Sequence, residues 1–328
     1  LDPAEFAKEV RVVMEERRLR TEDNPQSLTY ERFNATAFLT SPVRNPVVGW
    51  MDDLAHLRLD DLATWYRQWY APNNATLVVV GDVDPDEVHA MAVEHFGPLE
   101  PSDIAPPKPR PEIPQRGTRR LTVRLPAEVP YLLMGYKVPS LSVAETPEQV
   151  AEAYALEVLA GVLDGGDSAR LARELVRGES IAAGAGSGYG LYDRLPGLFL
   201  LSGTPANGHT VAELERAFRE QVRRLQETLV SEAELERIKA QVVAGKVYER
   251  DSVFYQAMQV GILETVGLGW ERLDEYLDAV DAVTPEQLQA VARKYLVDDT
   301  LTVAELEPLP IVTERPDAPA ATEAPDAQ

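Results

Sequence analysis

Residues 101–117 carry six prolines and a single glycine. A helix cannot run through that spacing, and a central strand would lose its ladder hydrogen bonds there. The stretch reads as a semi-rigid extended linker that divides the 328-residue chain. Residues 1–100 then form one domain and residues 118–306 a second, each long enough to bury a core. The closing stretch, residues 307–328, is rich in Pro, Ala, Asp and Glu and reads as a disordered acidic tail.

The first segment opens with a helix over 3–20, with Asp2 as its N-cap and Pro3 at the first helical position. A second helix follows over 26–38, then a loop through Pro42, Asn45 and Pro46, then a helix from Leu59 to Trp69. The β-branched run 75–82 reads as a buried strand, and Pro85 to Phe96 as a helix. In the second segment, strands are expected over 119–125 and 129–138, a helix over 147–163, and a turn and helix from Gly165 to Arg177. A hairpin over 180–191 and 197–205 comes next, then helices over 210–228, 231–250, 252–268, 271–281 and 285–295, and a last strand over 300–306. Helices and strands mix without strict β–α alternation. The expected class is α+β, as two related domains with a mixed or antiparallel sheet packed against helices. Their relation rests on the echo between Tyr70-Ala71-Pro72-Asn73-Asn74-Ala75-Thr76-Leu77 and Tyr295-Leu296-Val297-Asp298-Asp299-Thr300-Leu301-Thr302. The chain begins on Leu1, directly at a helix signal, so the first domain is expected to be incomplete at its N-terminus.

Charge narrows the partners. The net charge is −22, which disfavours nucleic acid and anionic membrane surfaces and would attract a cationic peptide. No apolar run reaches the length of a membrane span. With no cysteine, disulfides and thiolate metal sites are excluded.

Glu9 and Glu16 on the opening helix are the candidate metal residues. Seven residues is almost two turns, so both carboxylates point the same way. One can bind a metal while the other orients a ligand. A solvated acidic face would look the same, and Glu15 competes with Glu16 if the register shifts by one. The histidines are His56, His89, His95 and His209. His89 and His95, six apart, miss alignment by about 120° on a helix and read as surface residues. The run Arg17-Arg18-Leu19-Arg20 and the pair Arg119-Arg120 read as solvated; Trp65, Tyr66 and Trp69, at helical spacing, read as core packing.

The segments Glu9 to Glu16, Tyr30-Glu31-Arg32-Phe33, Asn45-Pro46-Val47-Val48-Gly49 and Tyr70-Ala71-Pro72-Asn73-Asn74 through Val80-Gly81-Asp82-Val83 resemble the pitrilysin/insulinase family of zinc metallopeptidases. These are inverzincins, whose metal helix carries H-x-x-E-H. The resemblance implies a zinc-dependent metalloendopeptidase acting on peptides or proteins. It makes Glu16 the third zinc ligand and Glu9 its supporting residue. H-x-x-E-H is absent from this sequence, so the two histidine ligands and the general base are expected upstream of Leu1, and this chain alone should be inactive. The family's substrate-binding Arg and Tyr of the second domain fall at Val176 and Ala183, with Arg173 and Arg177 as nearby substitutes. A homo- or heterodimer with a family partner is also implied, as is a substrate held partly as an added edge strand in the first domain. The rival reading is a non-catalytic partner or scaffold subunit of a processing complex. A periplasmic or secreted location is favoured over a cytoplasmic one.

Overall fold

The computed structural model describes residues 1–311, so the expected disorder from residue 312 onward lies outside the described residues. Its centre is a five-stranded sheet built from β1 (Arg119–Pro126), β2 (Tyr131–Val138), β3 (Ala182–Gly188), β4 (Gly197–Pro205) and β5 (Leu301–Leu309), in the order β1-β5-β2-β4-β3. Only β1 and β5 run parallel; the other pairings are antiparallel. The last strand thus inserts between the first two and runs three residues further than the sequence suggested, so residues 307–309, expected to open the disordered tail, pair with β1 instead. The class is α+β, as expected.

Alternation along the strands assigns their two faces. Leu132, Met134 and Tyr136 of β2, Phe199 and Leu201 of β4, and Leu301 and Val303 of β5 enter the larger core. There they meet α6 (Pro147–Asp164), α7 (Val211–Glu227) and α11 (Pro285–Tyr295) through Leu159, Phe218 and Leu288. Leu133, Leu198 and Ala304 point to the opposite face, which is covered from the first segment. There α2 (Pro25–Ala37), capped by Asn24, lays Phe33 and Ala37 on the sheet. Gly135 makes this close approach possible, since a Cβ there would stand 2.7 Å from Phe33 Cζ. Burying a phenylalanine of this kind is worth roughly 2–3 kcal/mol.

Around that body, α1 (Pro3–Arg17) begins as foreseen, with Asp2 accepting from the amides of Ala4 at 2.7 Å and Glu5 at 3.3 Å. It continues as a wider helical turn over Arg18–Glu22. A short helix, α3 (Met51–His56), was not foreseen; α4 (Leu59–Trp69) and α5 (Pro85–Phe96) were. In the second segment α8 (Glu232–Glu249), α9 (Val253–Val266) and α10 (Arg272–Asp281) complete the set near the expected bounds.

Three expectations fail, each for a physical reason. Residues 75–82 form no strand: the run is extended, Leu77 is 62% exposed, and the segment beside Val78 is α9, a helix whose backbone hydrogen bonds are already used. Trp65, Tyr66 and Trp69 are not core. Trp65 and Tyr66 are exposed and Trp69 only partly covered, because nothing described covers that face of α4; Tyr66 instead stacks on Tyr70 at 4.6 Å. The arginine runs are not uniformly solvated. Arg17 is buried, and Arg119 Nη1 caps α2 by donating to the carbonyls of Thr36 at 3.0 Å and Ala37 at 2.7 Å.

The proline-rich connection is pinned. Glu112 accepts from the amides of Leu39, Thr40 and Ser41 at 3.0, 2.9 and 3.0 Å and from Lys137 Nζ at 2.6 Å. Burial would raise this carboxyl, but the bonds from Lys137 and the three amides outweigh it and hold it down at about 2.

Candidate functional site

The Glu16 site rests on its neighbour. Arg17 Nη1 donates to Glu31 Oε2 at 2.8 Å and to the Gly49 carbonyl at 2.7 Å, while Nη2 donates to Glu31 Oε1 at 3.0 Å. That planar fork on a carboxylate fixes direction as well as distance. The hydrogen bonds it donates to Glu31 hold the guanidinium above its usual pKa. Gly49 sits at φ +92°, a conformation that turns its carbonyl into the bond at little cost only for glycine. Glu31 belongs to α2, two residues from Phe33. Helix α2 therefore links the sheet, through Phe33, to the last turn of α1, through Glu31 and Arg17.

Glu16 stands on that turn but faces outward. Its side chain is 39% exposed, and Oε1 lies 2.9 Å from Arg20 Nη1. It borders a shallow concavity with Val12 and Leu19, both exposed apolar residues on the same flank. Glu15 borders the same concavity and pairs with Arg18. Glu9, exposed, has no hydrogen-bond partner among the described residues. Seven residues of helix separate it from Glu16 by about 10 Å, too far for both to grip one ion.

No imidazole joins them. His89 and His95 lie exposed on α5, as expected, and His56 bonds the Asp52 carbonyl at 2.8 Å. His209 is 3.6 Å from Glu213. Among the described residues no group of three His, Cys, Asp or Glu side chains could hold a metal. A zinc site wants three or four donors. The residues described here offer one carboxylate already paired with an arginine, and by themselves they do not fit the ion.

The second set of positions is equally bare of substrate-binding groups. Val176, on the wide helix Leu171–Gly178, packs against the larger core, and Ala183 is exposed on β3. Arg173 pairs with Glu174 at 2.6 Å and Arg177 bonds the Asp167 carbonyl. The sheet edges are β1 and β3, both in the second segment, so the first segment offers no edge for a substrate strand among the described residues.

Sequence reasoning missed Arg17, Glu31 and Glu112. A charge-run reading treats arginines alike. The only available signal was that Arg17 falls one position from the candidate ligand and Glu31 inside a tyrosine-phenylalanine segment.

Comparison with known proteins gives a consistent result. A family model described as the Peptidase M16 inactive domain matches residues 56–242. The chain is 33% identical over 240 residues to the zinc protease PqqE of Helicobacter pylori, covering 72% of this chain and 52% of that protein. It is 27% identical over 305 residues to an uncharacterized zinc protease of Mycobacterium leprae, covering 90% and 64%. The chain thus spans about half to two thirds of the length of these curated relatives. Among solved structures, a protease from Helicobacter pylori matches with a TM-score of 0.87 at 27% identity, over 94% of this chain and 73% of that one. A Peptidase M16 inactive domain from Pseudomonas fluorescens matches with a TM-score of 0.80 at 18% identity, over 96% and 73%, a likeness of fold.

Proposed function

Because the chain belongs to the M16 peptidase family, we propose that it is the supporting part of a zinc peptidase. In this reading it forms one wall of a peptide chamber and lends Glu16 to a zinc site whose imidazoles come from a longer polypeptide. Glu9 would accept the N–H of a ligand histidine and fix its tautomer. The observation that carries the reading is the buried Arg17–Glu31–Gly49 clamp. It holds the helix immediately beside an exposed carboxylate, which is how a ligand is preorganised without being covered.

The lengths of the relatives support a longer working form, and the exposed apolar residues beside Glu16 support a covering element. A peptide or protein is the substrate in this reading, with a family partner subunit as the possible second chain. Among the described residues no helix is long and apolar enough to cross a membrane.

The second reading, a scaffold subunit with no metal, is favoured by one observation: Val176 and Ala183 offer substrate neither charge nor hydroxyl. Zinc content decides between them. In a polypeptide lengthened to span its relatives, atomic absorption should find about one zinc per chain, and Glu16→Gln should lower this at least tenfold. Full zinc occupancy in the variant removes Glu16 from the site; no zinc in either form favours the scaffold.

A further inference from the structure

Far from α1, two adjoining cavities of about 400 and about 320 Å³ open between α6, α8, α9, α10 and the β3–β4 connection, with Val80 of the first segment at the larger one, and share Tyr192, Lys246 and Tyr276. Their size is that of ligand pockets. We propose that this cleft is a binding site for a cationic side chain, lysine or arginine, of a peptide. The inference rests on the peptide-handling role above, but its test reads binding by this chain alone, so the two can fail separately.

The chemistry of the lining points to a cation. Tyr276, only 5% exposed, presents its ring to the cleft beside Tyr192, the centroids 6.5 Å apart and tilted by 54°. Aromatic faces carry negative quadrupole density and attract ammonium and guanidinium groups. Four carboxylates, Glu157, Asp193, Glu249 and Asp274, line the two cavities against two cations, Lys246 and Arg250.

Glu157 is the under-used member. Its only hydrogen bond among the described residues is a long one, accepted from the Tyr276 hydroxyl at 3.4 Å. Burial raises its carboxyl, and Lys246 acts in the opposite direction. A cation delivered between Glu157 and the Tyr276 ring would gain a carboxylate and an aromatic face together.

The protein already shows that a cation sits well there. Lys246 Nζ lies 4.8 Å from the Tyr276 ring centroid and 2.7 Å from Glu249 Oε2. It occupies the place a ligand's ammonium would take, held there by its bond to Glu249. Lys246 is therefore a built-in competitor for the site.

The test uses tetralysine and tetraglutamate peptides with the purified chain at physiological salt, followed by NMR titration. Tetralysine should bind and tetraglutamate should not. Lys246→Met should tighten tetralysine binding about three- to tenfold by removing the competitor. Lys108→Met, at an exposed position with the same charge change, should leave it within twofold. Glu157→Gln, close to isosteric, should weaken it at least fivefold. The proposal is overturned if tetralysine does not bind, if Lys246→Met behaves as Lys108→Met does, if Glu157→Gln binds as wild type, or if tetraglutamate binds more tightly.

Discussion

Residues 59–80 and residues 285–309 are built on the same local plan and end in different states. Each begins as an eleven-residue helix, α4 or α11, and leaves it through a residue with φ −87°, Tyr70 or Leu296. Each then makes a single tight helical turn, Pro72–Asn74 or Asp298–Thr300. In both, the last turn residue reaches back to the final helix carbonyl. Asn74 Nδ2 donates to Trp69 at 2.9 Å, and Thr300 Oγ1 donates to Tyr295 at 2.7 Å. The structural register aligns Trp69 with Tyr295, one position away from the tyrosine match that the letters suggest. Beyond the turn the two diverge. Leu301 and Val303 are fully buried in β5 between β1 and β2, whereas Leu77 and Val79 are exposed. Local sequence sets the helix, turn and exit direction; a strand forms only where neighbours share its hydrogen bonds and cover its faces.

The largest test removes the same side chain from both units. Leu301→Ala should cost about 3 kcal/mol in urea unfolding, since it opens a cavity in the packed core. Leu77→Ala should cost less than about 0.5 kcal/mol in this chain, as at an exposed position. Equal losses would break the contrast.

A smaller effect concerns what holds the paired side together. Glu112 ties the end of α2 to β2 through Lys137, and no such tie is described for residues 75–80. Its carboxyl is depressed from 4.5 to about 2, so the bonds it accepts stabilise the fold above pH 4.5. That contribution is lost as pH falls from about 4.5 through about 2. Glu112→Gln should lower stability at neutral pH and flatten its fall over that acid window, measured by urea midpoints at stepped pH.

The smallest effect lies in the shared turn. Thr300→Ala should cost about 1 kcal/mol, the worth of one hydrogen bond. Asn74→Ala should leave the global unfolding midpoint unchanged and loosen only its own turn, seen as faster amide exchange at Tyr70, whose N–H is bonded to the Tyr66 carbonyl. A global loss on Asn74→Ala would mean that residues 59–80 unfold with the sheet.

Much of this was legible. Most helices were legible within a few residues of their bounds, as the Asp2-Pro3 start of α1 shows. What escaped was what depends on distant partners. The β-branched run 75–80 carries a full strand signal, yet pairing is not local. Arg17 and Arg18 look alike in sequence, and only the fold places one against Glu31 and leaves the other on the surface. Glu16 and Glu9 were visible as an aligned pair. That the described residues bring no imidazole to them was also readable, since none of the four histidines lies on α1.

Amide hydrogen exchange along the whole chain at neutral pH tests the central claim most directly: one sheet-anchored body holds the last turn of α1 in place and carries an extended segment that pairs with no strand among the described residues. Leu301–Leu306 should exchange most slowly, the last turn of α1 through Arg17 at intermediate rates, and residues 75–80 at rates near those of an unfolded chain. Protection of residues 75–80 equal to that of β5, or none at all in the last turn of α1, would contradict it.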